Sequence, residues 1–281
     1  MRIPFTKAHG AGNDFLLTWA HEAPASGQPA AARAICDRHT GVGADGWILV
    51  SPPPKGARWD GEIRLFNADG STAEISGNGT RCAAAFLLSA GLEGPMVRIR
   101  TGAGVRQLRL LERNELRFLF EMAMGRPVCN PEEAGIRLEL GDTAVDATIV
   151  DVGNPQCAVF VEALDFDWRD LGAALESHPR FPNRTNVSFV RVVDRHTLEV
   201  RFWERGVGET MSSGTGATGA FWAALVRGRV ERSVSVLTPG GQLDLRVDDD
   251  EDEVYLAGPA QIVAGGEYYL ELLEKEGSRS R

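Results

Sequence analysis

Short runs in which apolar residues alternate with arginine or glutamate dominate the chain. They fall at 46–50, 62–66, 97–101, 105–111 and 115–122, and in the second half at 158–161, 187–193, 197–203, 234–237 and 243–247. A period of two with one charged side predicts strands of a mainly antiparallel sheet with one wet face. Few helices interrupt them. Residues 28–39 have an amphipathic pattern, and 170–177 predict a short surface helix. Two more segments, near 76–91 and 213–228, are rich in alanine and apolar almost all the way round. A helix apolar on every side has to be buried, here wrapped by sheet.

Those two buried helices are copies of one another. At an offset of 137 residues, Ser76-Gly77-Asn78-Gly79-Thr80 falls on Ser213-Gly214-Thr215-Gly216-Ala217, Ala83 on Ala220, Arg64 on Arg201 and Gly91 on Gly228. Each unit reads as strand, glycine-rich turn, buried helix and glycine stop. An internal twofold repeat accounts for this. The α+β fold it predicts has two pseudo-symmetric domains, each a curved, mainly antiparallel sheet around one central buried helix. The domains are 1–122, joined by a strand returning at about 266–273, and 123–265.

Composition narrows the function. A formal charge of −9 with no basic cluster argues against nucleic acid. No apolar run approaches the roughly 20 residues of a membrane span, and no secretory signal opens the chain, so a cytoplasmic location is expected. Cys36, Cys82, Cys129 and Cys157 are scattered without metal-ligand spacing and read as buried structural thiols; no metal is expected. The three lysines, Lys7, Lys55 and Lys275, offer neither a phosphate loop nor a convincing Schiff base. The acidic run 248–253 lacks the glycine and spaced ligands of a calcium loop and predicts a hairpin tip.

A glycine-rich turn entering a helix leaves backbone N–H groups unpaired at the positive end of the macrodipole, which is a seat for an anion. Two copies make two seats. Ser76 and Ser213 can also be plain helix caps, with the glycines fitting a tight turn. Asn13, Asn67, Asn154, Asn186, Glu204 and Arg205 sit in or beside turns. Singly each is an ordinary turn or surface residue. Together they suit a small zwitterion, with amides to bind its ends, a carboxylate for its ammonium, and a guanidinium and helix N–H groups for its carboxylate.

Eight segments in order, spanning roughly residues 3 to 272, resemble the signature blocks of the diaminopimelate epimerase family: 9–15, 37–46, 66–71, 77–82, 153–155, 204–210, 213–217 and 239–243. The resemblance implies a substrate cleft between the two domains and inversion of one centre of L,L-diaminopimelate to the meso isomer, a lysine and peptidoglycan precursor, without a cofactor. It implies one group that removes the α proton and a second that returns one from the opposite face. By motif position these are Ser76 and Ser213, with substrate contacts at Asn13, Asn67, Gly77, Asn78, Asn154, Asn186, Glu204, Arg205, Gly214 and Thr215. The partner it implies is a small amino acid, and a homodimer is common in the family.

The chain departs from the family at the chemistry itself. Both family thiols are serines here, Ser76 and Ser213, and Gln156 stands where the family commonly has histidine. An alcohol is far less acidic than a thiol of pKa about 8.5. Three outcomes are open: an epimerase with reduced turnover, an epimerase-like amino acid binding protein without turnover, or a racemase or dehydratase of another amino or imino acid.

Overall fold

A computed structural model describes residues 1–73, 76–141, 143–248, 250 and 252–270. The first half runs β1 (Arg2–Gly10), β2 (Asn13–Trp19), α1 (Gln28–Cys36), β3 (Gly46–Ser51), β4 (Gly61–Asn67), β5 (Thr72–Ala73), α2 (Gly77–Ser89), β6 (Met96–Thr101), β7 (Gly104–Asn114) and β8 (Arg117–Gly125). After β9 (Ala134–Leu140) the second half repeats that order: β10 (Thr143–Asp151), β11 (Pro155–Phe160), α3 (Trp168–Glu176), β12 (Asn186–Asp194), β13 (Thr197–Glu204), β14 (Gly208–Thr210), α4 (Gly214–Val226), β15 (Ser233–Thr238), β16 (Gly241–Val247) and β17 (Val254–Tyr269). Both buried helices keep the 137-residue offset at their first and last residues.

Mixed helix and strand close into a barrel in the first half. Eight strands pair in a ring, β1–β2–β3–β4–β6–β7–β8–β17 and back to β1. The second half repeats the pattern from β10 through β17, and its ring returns to β10 through the bridge of Val128 with Asp151. Parallel pairing occurs at equivalent places, β2 with β3 and β4 with β6, then β11 with β12 and β13 with β15. Parallel neighbours need a long crossover, and α1 to α4 supply the four.

This corrects the wet-face expectation for three strands, β3, β12 and β11, the last with Ala158 in the core of α4 and Val159 in that of α3. β3 is buried on both sides because Ile48 and Val50 face the core of α2, whereas Trp47 and Leu49 pack with Ala31, Ala32 and Ile35 of α1. β12 follows suit, with Val190 in the core of α4 and Val187 and Phe189 against Trp168 and Leu175 of α3. The helices end earlier than the sequence pattern suggests: α1 stops at Cys36, where Asp37 turns the chain by accepting from the N–H groups of His39 and Thr40.

Every residue of α2 from Asn78 to Leu88 is buried, and its alanines share one core with Phe15, Val97, Ile99, Phe118 and Phe120. In α4, Ala217, Ala220, Phe221 and Ala223 share the other core with Val150, Phe202, Val236 and Leu245. The small alanines let these buried helices pack closely against their neighbours, and close packing carries the stability. Both helices end alike: Gly91 and Gly228 take positive φ, and the next N–H reaches back to Leu87 and Ala224 respectively.

Two boundaries differ from the sequence estimate. β8 passes residue 122 and continues to Gly125, which pairs with Val254. The returning strand is the far end of β17, which leaves β8 at Gln261 and pairs with β1 from Gln261 to Tyr269. Residues 271–273 of the estimate lie outside the described residues, as do 249 and 251 of the acidic run. Cys129 is half-buried rather than buried, with its Sγ 3.6 Å from the Asn130 carbonyl.

Candidate active site

Ser76 and Ser213 cap their helices in the same way. The Ser76 Oγ accepts from the Gly79 N–H at 3.1 Å, and the Ser213 Oγ from the Gly216 N–H at 3.2 Å. The Thr80 and Ala217 N–H groups close on the Ser76 and Ser213 carbonyls at 2.8 and 2.9 Å. Two N–H groups per mouth are left over, those of Gly77 and Asn78 on α2 and of Gly214 and Thr215 on α4. Among the described residues no hydrogen bond reaches any of these four. Capping therefore uses the serine without filling the anion seat.

The mouths touch one another through Asn78. Its Nδ2 donates to the Asn13 Oδ1 at 3.3 Å and, at the limit of a bond, to the Ser212 carbonyl at 3.5 Å, one residue before the α4 cap. Gly240 ties the same junction, donating its N–H to the Met211 carbonyl at 2.8 Å while packing on Ala11 and Gly12.

Around α2, Asn13 donates to Asp45 at 2.7 Å, and Asp14 takes Arg38 and Lys7 as ion partners at 2.8 and 3.0 Å. Burial raises the pKa of Asp14, yet the hydrogen bonds and charges of Arg38 and Lys7 outweigh it and hold the carboxyl below the usual range. Asn67 is tied to its own turn, donating to the Ser71 Oγ at 2.9 Å, and the Ala68 N–H next to it bonds the Asp45 carbonyl. Asp45 thus joins Asn13 and the Asn67 turn. A carboxyl whose pKa is depressed by folding contributes stability fully above about pH 4, and that contribution fades as pH falls through the folded value. Asp14→Asn is expected to melt about 5 °C below the parent at pH 7, with the gap closing below about pH 4; melting curves from pH 2.5 to 7 check this.

Around α4 a second group is linked. The Asn186 Nδ2 donates to the Pro155 carbonyl at 3.0 Å, and its Oδ1 accepts from the Arg205 N–H at 3.1 Å. Asn154 accepts from Gln156 at 2.7 Å. Glu204 accepts from Thr210 Oγ1 at 2.7 Å, and the Ser213 hydroxyl beside it, like that of Thr210, favours its charged form. Burial dominates these contacts and raises the Glu204 pKa, which brings the carboxylate closer to a base useful at neutral pH. Ser76 differs: among the described residues no acid or imidazole partners its hydroxyl.

Of the sequence-predicted residues, Asn13 and Asn78 meet at one mouth, and Glu204 meets Ser213 at the other. Asn154, Asn186 and Arg205 form a linked flank, while Asn67 is joined to Asn13 through Asp45. Gln156 is buried and lies on Gly219, where an added Cβ would stand 2.7 Å from the Gln156 Cβ. Cys82 and Cys157 are fully buried, and burial pushes both thiols up to about 12, so neither is a thiolate near neutrality.

Sequence reasoning missed several supporting residues. Lys7, Asp14, Arg38 and Thr210 lie in or near quoted motifs, but their charges have meaning only once paired in space. Glu176 of α3 lies in none: it accepts from Trp203 Nε1 at 2.8 Å and the Gly206 N–H at 2.9 Å, and so fixes the turn carrying Glu204 and Arg205.

Two pseudo-symmetric halves, with capped helix mouths meeting where they join, define the class of fold and site. The family model for diaminopimelate epimerase matches residues 5–129 and 148–263. The diaminopimelate epimerase of Pelotomaculum thermopropionicum is 40% identical over 278 residues, covering 94% of this chain and 98% of that protein. Diaminopimelate epimerase 1 of Nostoc is 40% identical over 286 residues, covering 95% and 99%. The chain belongs to the diaminopimelate epimerase family. Two solved structures share the fold: a PhzF-family phenazine biosynthesis protein of Bacillus anthracis (TM-score 0.69, 17% identity, 96% of this chain and 100% of that one) and a hydroxyproline epimerase of Agrobacterium vitis with bound trans-4-hydroxy-L-proline (TM-score 0.68, 16% identity, 95% and 92%).

Proposed function

We propose that the protein is a cofactor-independent amino acid epimerase that converts L,L-diaminopimelate to the meso isomer, with slow turnover because alcohols stand in place of thiols. We infer with it that each half, 1–122 with the returning end of β17 and 123–265, is a curved sheet wrapped around its helix, so that the two mouths face one carbon. Ser76 and Ser213 are the two proton carriers; Asn13, Asn67, Asn154, Asn186 and Arg205 hold the ends of the substrate. The observation that carries this reading is the four unpartnered N–H groups of Gly77, Asn78, Gly214 and Thr215, paired across a junction spanned by Asn78. They would receive the α-carboxylate and stabilise the charge that builds on it as the proton leaves.

The two faces are unequal. On the α4 side the Cα–H bond breaks as the Ser213 oxygen takes the proton and passes its own to Glu204. On the α2 side, among the described residues, Ser76 has no such relay. Proton removal therefore outpaces inversion. In deuterated water, NMR of L,L-diaminopimelate is expected to show the α proton exchanging faster than the meso isomer accumulates. The second reading, a binder without turnover, is favoured by the capping role of both Oγ atoms; saturable calorimetric binding with no exchange would establish it. Absence of binding would defeat both.

A further inference from the structure

Arg81 occupies the second turn of α2 with 0% of its surface exposed. Its counterpart 137 residues on is Thr218, which simply bonds back to the Gly214 carbonyl at 2.8 Å. The repeated scaffold itself therefore has no need of an arginine here. The guanidinium donates through Nε to the Pro259 carbonyl at 3.1 Å and through Nη2 to the Asn78 Oδ1. Among the described residues its Nη1 has no partner and no carboxylate pairs with it. The unpartnered nitrogen lies on the side of the mouth: a Cβ added to Gly77 would stand 3.9 Å from it. Room is kept from the other side as well, since a Cβ on Gly258 of β17 would be 2.8 Å from Arg81 Cζ. Burial draws the guanidinium pKa down to about 10, which still leaves it charged at neutral pH.

A buried charge without a counter-ion is among the costliest arrangements in a protein interior, and removal of water strengthens its pull on any nearby anion. Holding the Asn78 Oδ1 also turns that side chain's NH2 toward Asn13 and Ser212. We propose that Arg81 is the positioning residue of the α2 mouth, whose uncompensated charge draws the substrate carboxylate onto the Gly77 and Asn78 N–H groups and whose fork sets the Asn78 amide that spans the two mouths. It acts from beneath these groups and does not touch the substrate. The inference rests on the proposed function for the identity of the carboxylate, but not for the presence of an anion seat.

The test compares the wild-type chain with Arg81→Met and Arg81→Lys, using circular dichroism to confirm folding and calorimetry to measure binding of L,L-diaminopimelate. The Met variant is expected to bind at least about 30-fold more weakly and the Lys variant within about fivefold of wild type, because charge rather than shape is the larger contribution. Binding of 1,5-diaminopentane, which lacks both carboxylates, should be equal in all three. A purely structural arginine would weaken both ligands alike, and that result overturns the proposal, as does a folded Met variant with wild-type affinity for diaminopimelate. If the Met variant does not fold, Gly258→Ala displaces the guanidinium more gently and should selectively weaken diaminopimelate; unchanged affinity there counts against the proposal. Should wild type bind no diaminopimelate, the functional reading fails separately. The anion seat is then judged by the melting temperature in acetate against equal chloride, a difference expected in wild type and lost in the Met or Gly258→Ala chain; equal differences would overturn it.

Discussion

Ser76→Cys/Ser213→Cys is expected to invert L,L-diaminopimelate about a hundred- to ten-thousand-fold faster than the parent chain, the range that a well-placed acid–base pair contributes. Both positions are helix N-caps, where the macrodipole lowers a thiol below its free value of about 8.5, so the gained activity should rise with pH through about 7. The single variants separate the faces. Ser213→Cys, beside the Glu204 carboxylate, should speed α-proton exchange with little inversion, and Ser76→Cys alone should do less. The native thiols cannot contribute, because Cys82 and Cys157 are sealed in the core with pKa values pushed up to about 12. Stopped-time NMR of substrate and product checks all four chains. Turnover that stays at the parental rate in the double variant would place the deficit elsewhere in the cleft, with Gln156 the first residue to exchange.

Gly240→Ala is the substitution expected to damage the fold most. An added Cβ would sit 1.8 Å from the Ala11 carbonyl oxygen and 3.1 Å from that of Met211, both of them backbone atoms with nowhere to move. Ala11 precedes the strand that begins with Asn13, and Met211 precedes Ser212 and the α4 cap, so relief of the clash has to pull the two mouths apart. A cost above about 4 kcal/mol follows from forced backbone displacement at such a site, or roughly a 10 °C fall in melting temperature for a chain of this size. Binding of diaminopimelate should be lost with it. Differential scanning calorimetry gives the first quantity and titration calorimetry the second; a variant that melts within about 2 °C of the parent and still binds would show that the junction is more yielding than its geometry implies.

The repeat was the most legible part of the chain. Glycine and alanine at a fixed offset reported the local demands of a helix mouth and a buried helix, and those demands are written in the residues themselves. The closed ring was not legible, because which strand edge meets which depends on pairings between residues far apart, such as Gln261 with both Arg117 and His9. Double burial of β3 was hidden for a similar reason: an apolar run of Trp47 to Val50 does not say that α1 covers one face and α2 the other. At the site, the serines and glycines could be placed from their motifs, whereas Asp14 with Arg38 and Lys7, Glu176 under the Arg205 turn, and Arg81 under Asn78 required distances. Paired charges leave little trace in a single sequence, since either partner alone resembles an ordinary surface residue.

If two serine-bearing mouths flank one carbon of an amino acid, as proposed, a crystal structure of the protein with L,L-diaminopimelate will show it. The α-carboxylate should lie on the N–H groups of Gly77, Asn78, Gly214 and Thr215, with the Ser76 and Ser213 Oγ atoms on opposite faces of the α-carbon. A ligand held at one mouth only, or anywhere outside the junction that Asn78 spans, would contradict it.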